Sequence, residues 1–188
     1  MTIHPRQPAD PGDSVFEGFP VNERRRQLLS HIDRAFAGVT LGDGVSLHES
    51  EVIDNDGTDE ERRVAREPDE KTDWRRLVDH PDLTAYFGPG YDGLSFLDAA
   101  GVRFHLPACL SRVVRDFDNH DDELSGMFAS LCWLLTRSDQ YNRGRLAILG
   151  DEQRACVREC LVLFREALAS NDRELDRAID YWSKPASD

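Results

Sequence analysis

Long apolar runs are missing from this sequence. The longest unbroken one, Leu131 to Leu135, falls far short of the roughly 20 residues that a membrane-spanning helix requires, so no membrane partner is expected. Cysteine is scarce. Cys109, Cys132, Cys156 and Cys160 are too few and too scattered for a disulfide scaffold in 188 residues, and each sits inside an apolar helical pattern. The opening MTIHPRQPADPGD has no apolar core of a secretory signal, so the expected location is the cytoplasm. Positive charge is also short: the net charge is −13 and the pI about 4.8, a field that repels phosphate backbones and anionic lipids, so nucleic acid is not an expected partner. Finally, there is no Walker loop, no GxSxG elbow and no GxGxxG after a strand. The six histidines follow no metal-ligand spacing, and Cys156 and Cys160 read as core cysteines without a CxxC or HxxxH partner. These gaps leave no expected catalytic residue, no metal and no cofactor.

What is present is an ordinary globular mixture, 39% hydrophobic and 31% charged. Residues 1–20, with four prolines and few apolar groups, read as a poorly ordered arm, and residues 21–182 as a single globular domain. From Asn22, the residues Leu28, Leu29, Ile32, Ala35 and Phe36 recur at helical spacing until Gly38. A short helix is expected from Thr58 to Arg66, and a turn of helix opens at Pro81 and ends at Gly88-Pro89-Gly90. The second half reads as helices begun near Pro107, at Asp121 to Glu123 and at Asp151, with Asn171 and Glu174 as a capping box for a last one.

Leu94 to Leu106 carries the clearest strand pattern. Val102, Phe104 and Leu106 alternate with Arg103 and His105, and Asp98-Ala99-Ala100-Gly101 reads as the loop of a hairpin whose glycine takes positive φ. A third strand is expected from Arg145 to Leu149. The expected fold is therefore α+β, predominantly helical, with a small antiparallel hairpin or sheet packed against a layer of helices. A small-ligand cleft beside the hairpin would be lined by Trp74, Tyr91, Arg103 and His105, with Asp98 nearby.

Charge is concentrated. Residues 49–70 hold ten carboxylates against three arginines, and residues 116–123 hold five carboxylates and no base. Within the first segment, Val52-Ile53-Asp54-Asn55-Asp56-Gly57-Thr58 resembles the first motif of haloacid-dehalogenase-type phosphatases. That resemblance implies a nucleophilic Asp54, an acid and base at Asp56, and a magnesium ion. The residues before Asp54 are not the apolar run of an interior parallel strand, and only Lys71 and Lys184 exist to supply the family's lysine. Neither acidic segment fits a calcium loop, because an EF-hand begun at Asp54 meets Asp59 and Ala65 at its sixth and twelfth places. The leading functional expectation is a non-catalytic intracellular protein-binding module, immunity-like or adaptor-like, that presents an acidic surface to a basic protein. The alternative is a metal-dependent phosphatase-like hydrolase using Asp54 and Asp56.

Asp73-Trp74, the stretch from Leu94 through Ser95-Phe96-Leu97-Asp98 to Leu110, and Ala147 to Val157 together resemble a bacterial protein family of unknown function. The resemblance covers about residues 24–168 and rests on an SFLD-G-RF-LPA signature, with His105 standing where the family often has an aromatic residue. It implies no activity, cofactor or catalytic residue.

Overall fold

The computed structural model describes residues 21–87, 93–117, 122–137, 139–168 and 173–184. The expected arm over residues 1–20, the Gly88-Pro89-Gly90 breaker and the Asn171 cap lie outside the described residues. Every regular element among them is helical: α1 (Val21–Ala35), α2 (Leu47–Asp54), α3 (Asp59–Arg66), α4 (Pro81–Phe87), α5 (Ala99–Asp116), α6 (Asp122–Thr136), α7 (Gln140–Leu146), α8 (Asp151–Leu168) and α9 (Arg173–Trp182). Two 3-10 turns, Trp74–Leu77 and Gly93–Ser95, interrupt the connections.

The expected α+β fold is therefore wrong, and the error lies in Leu94 to Leu106. Asp98 is not a hairpin residue but the N-cap of α5, its Oδ1 accepting the Gly101 N–H at 2.7 Å. Alternation of Val102, Phe104 and Leu106 suggests a strand only if Arg103 and His105 face water. In the structure His105 is as fully buried as the apolar residues around it, and Arg103 is half-buried. From Val102 to Val114 only Arg103 and Arg112 escape full burial, because α1, α6, α7 and the Trp74–Leu77 turn all pack on α5. A helix covered on every side has no polar stripe, and its 3.6-residue period disappears from the sequence. Pro107, expected at a helix start, lies mid-helix and leaves the Arg103 carbonyl without its usual N–H donor. The expected third strand, Arg145 to Leu149, is the end of α7 and the turn after it. There the buried Arg145 guanidinium donates to the Leu97 carbonyl at 3.0 Å and the Leu94 carbonyl at 2.5 Å, and so holds the chain that leads into α5.

Gly101 is helical, with no positive φ, and its lack of a side chain serves a close approach instead. A Cβ there would stand 2.6 Å from the Val45 carbonyl oxygen, and one on Gly44 would stand 2.7 Å from both Ala100 Cβ and Gly101 N. The 42–46 loop thus lies directly on the first turn of α5, where the Val45 N–H also donates to Asp98 Oδ1 at 3.0 Å. Around this centre, α8 packs on α1 and α9, α9 returns to α6, and the α2–α3 pair sits outermost. Phe117, Phe128 and Phe164 close the far end of α5 with ring centroids 5.1 to 5.8 Å apart. No helix among the described residues is long and apolar enough to cross a membrane.

Gly101→Ala should lower unfolding free energy by about 1–3 kcal/mol, because a Cβ is forced against backbone. Gly144→Ala in α7, where an added Cβ meets nothing within 4 Å, should be neutral or stabilising. Urea midpoints of the two variants against the parent check this pair.

Candidate functional site

Of the residues expected to line a cleft, Trp74 and His105 are buried in the helical core, Arg103 is half-buried and Asp98 is exposed. The Trp74 indole is buried and donates from Nε1 to the Phe36 carbonyl at 3.0 Å, closing the C-terminal end of α1. Asp98 caps α5. His105 is completely buried, its Nδ1 2.8 Å from the Gly101 carbonyl and its Nε2 without a hydrogen-bond partner. Burial pushes this imidazole down from 6.5 to about 4, against smaller upward contributions from the Gly101 carbonyl, Asp69 and Asp98. Arg103 is half-buried on the next position of the same helix, and Tyr91 lies outside the described residues. Asp98, Arg103 and His105 thus share α5, and Trp74 lies in the turn packed against that helix.

The acidic segment folds as a helical hairpin, α2 and α3, whose charges are sorted by direction. Glu49 is its hub: the carboxylate is nearly buried and accepts from the Ser46 N–H at 3.2 Å, from Arg62 at 3.0 Å and from Arg66 at 3.0 Å. Arg66 also reaches the Gly42 carbonyl at 2.5 Å and the Gly44 carbonyl, so this cation stitches α3 to the loop lying on α5. Arg63 is spent on Glu60 and Glu67 within α3. With the arginines committed, Asp54, Asp56, Asp59 and Glu61 stand exposed around the tip. Thr58 caps α3 and binds Glu61, which holds that carboxylate below its usual range, and Asp56 adopts a left-handed φ of 53°. Asp54 and Asp56 make no ion pair among the described residues. Both are exposed, and Asp54 ends a helix. The phosphatase arrangement needs these carboxylates at the tip of a buried strand, and the described residues include no strand.

One cluster has no counterpart in the sequence reading. His48 at the start of α2 lies between two carboxylates: its Nδ1 meets Asp69, and its Nε2 is 3.3 Å from Asp82. Asp69 is buried and also accepts the His48 N–H at 3.0 Å. The Tyr86 ring packs edge-on against His48 at 4.7 Å and donates its hydroxyl to Glu51 at 2.9 Å. Burial first, and Glu51 second, push Tyr86 up to about 12. This group borders a cleft of about 500 Å³, where Glu70 accepts from the Thr72 hydroxyl at 2.7 Å and from the backbone N–H groups of Lys71, Thr72 and Asp73. Those bonds, the Thr72 hydroxyl foremost, hold Glu70 down at about 2. Chemically the cluster is closed. Both imidazole nitrogens face carboxylates, and the anion-binding backbone is filled by Glu70 itself. His48, Asp69 and Asp82 come from three separate elements with no characteristic spacing, so no local sequence signal announces them. Among the described residues, no group of three or more His, Cys, Asp or Glu is placed to hold a metal ion. Cys109, Cys156 and Cys160 are buried free thiols, and burial raises Cys109 and Cys160 above the ordinary thiol range.

The fold and these clusters define a small protein whose regular elements, among the described residues, are all helical and whose outer hairpin is acidic. The chain belongs to the Family of unknown function (DUF6714), whose model matches residues 24–186. No curated protein and no solved structure matches it.

Two outcomes test this reading of the side chains. His105 is held neutral in the folded state and takes a proton more readily when unfolded, so its contribution to stability is complete above about pH 6.5 and is lost as pH falls toward about 4. The loss should approach roughly 3 kcal/mol. His105→Phe removes the buried nitrogen without a partner, so it should flatten this part of the stability profile and match or exceed the parent at pH 5, measured by urea unfolding across the range. Glu49→Gln should destabilise by about 1–3 kcal/mol, because two guanidinium groups lose a charged acceptor, and should accelerate proteolytic cleavage between α2 and α3.

Proposed function

We propose that the protein is a non-catalytic binding module that works inside the cell, immunity-like or adaptor-like, and docks a basic protein surface on the α2–α3 hairpin. The observation that carries this reading is the sorting of charge. Arg62 and Arg66 bond inward to Glu49, and Arg66 also to the Gly42 and Gly44 carbonyls, while on one tip Asp54 and Asp56 remain outward, beside an exposed Asp59 that keeps a 3.8 Å contact with Arg62 and an exposed Glu61 bonded by Thr58. Fixed anions on a braced hairpin attract a cationic surface over about 8–10 Å at physiological ionic strength and set its orientation on contact. The closed His48 cluster supports a role in binding over one in catalysis.

The test is a complex recovered with the full chain from its native cells and then reconstituted from purified components. Raising salt from about 0.05 to 0.5 M should weaken it at least tenfold. Asp54→Asn, Asp56→Asn and Asp59→Asn combined should weaken it similarly at low salt without changing the melting temperature. A complex indifferent to both manipulations would sink the proposal. So would magnesium-dependent phosphate-ester hydrolysis that disappears in Asp54→Asn, since that result would establish the hydrolase alternative instead.

A further inference from the structure

A second charged feature lies away from the acidic hairpin and has the opposite sign. The Trp182 indole donates to the Leu135 carbonyl at 2.9 Å, which fastens α9 to the C-terminal end of α6. Between these two helices and α7 runs a groove of about 710 Å³. Four cations line it, Arg137, Arg143, Arg177 and Lys184, against two carboxylates, Glu174 and Asp180. Asp180 is 3.5 Å from Lys184. Arg137, Arg143 and Arg177 form no ion pair among the described residues. That is unexpected in a chain with 36 carboxylates and 23 basic residues, where Arg62, Arg63, Arg66, Arg75, Arg76, Arg112, Arg115 and Arg165 all find acidic partners. Three guanidinium groups with no salt bridge, Arg137 acting only through space on the Asp139 carboxyl, line one concave surface from three different helices or helix ends.

The walls add a second chemical feature. The Arg137 guanidinium lies 4.9 Å from the Trp133 ring, and that of Arg143 lies 5.8 Å from the Tyr181 ring. Both rings are half-buried in the lining. Stacking on an aromatic face orients a guanidinium plane and leaves its N–H edge for an acceptor, and that edge matches phosphate oxygens two at a time. The volume falls within the range of small-molecule sites. We propose that the groove between α6, α7 and α9 binds a phosphate-bearing small molecule of nucleotide size. Its phosphate oxygens accept from Arg137, Arg143 and Arg177, and its remaining body rests on Trp133 and Tyr181. The site is independent of the acidic hairpin, so either assignment stands if the other fails.

Tryptophan fluorescence reads the groove selectively, because Trp74 and Trp182 are 3% and 2% exposed whereas Trp133 is half-buried in the lining. ATP titrated into the full chain should change the emission saturably with a Kd in the millimolar range or tighter, and Trp133→Phe should abolish the signal while calorimetry still detects binding. Pyrophosphate should compete but bind more weakly than ATP, because only the nucleoside reaches Trp133 and Tyr181; equal affinities would overturn the placement of the ligand body on those rings. Arg137→Gln with Arg143→Gln should weaken ATP about tenfold or more at an unchanged melting temperature, and lysine at both positions should restore only part of the loss. Three results overturn the proposal: no saturable response to either phosphate probe, unaltered affinity in the Arg137→Gln and Arg143→Gln variant, or citrate binding as tightly as ATP.

Discussion

The contact of two backbones at Gly44 and Gly101 lies where α5 begins, and α1, α6, α7 and the Trp74–Leu77 turn pack on α5. Neither position has room for a Cβ, so the loop before α2 and the first turn of α5 meet main chain to main chain. One carboxylate oxygen of Asp98 completes the joint by accepting the N–H of Gly101 and that of Val45. The group that starts the helix therefore also anchors the loop leading to the acidic hairpin. Arg145 braces the same corner from α7 by bonding the Leu94 and Leu97 carbonyls. Placed in this way, α5 is enclosed along most of its length, and the imidazole of His105 must remain neutral in its interior.

A protein made of many short helices exposes many C-terminal carbonyls, because each helix leaves four without an internal donor. Here distant side chains supply the donors. The Trp74 indole and the Gln153 amide serve the end of α1, and the Trp182 indole serves α6. Lys71 bonds the Arg66 and Glu67 carbonyls at the end of α3, and Arg154 bonds the Tyr181 and Lys184 carbonyls at the end of α9. These bonds tie helices together as they cap them. They also commit the Lys71 and Arg154 cations to backbone carbonyls.

The parts of the structure legible in the sequence are those with one-sided burial or local caps. In α1, Leu28 and Ile32 face inward while the opposite side is wet, so helical spacing shows. In α3, Thr58 and Glu61 bond each other across three residues, and the signal is as local as the interaction. Leu94 to Leu110 was not legible. Asp98 and Gly101 serve equally as the ends of a hairpin loop and as the cap and first turn of a helix, and the alternation from Val102 to Leu106 carries no information once both faces are buried. Of the residues expected to line a cleft, Trp74 and His105 carry polar atoms into the core, whereas Asp98 is exposed and caps α5. Their common destination on or against α5 depends on contacts spanning about 25 to 70 positions, beyond the reach of any pattern along the chain.

By itself the sequence determined the charge and its concentration, the helical spacing of α1, and the absence of any segment apolar enough to span a membrane, because each depends on composition or on neighbours within a few positions. Tertiary structure alone decided that Leu94 to Leu106 is helical, that Gly101 serves a close approach and not a turn, and that His48 is held between Asp69 and Asp82. It also decided that Arg137, Arg143 and Arg177 share one groove. The physical reason is that burial on all sides and the meeting of charges from separate helices exist only once those helices pack, and packing joins residues that share no local interaction.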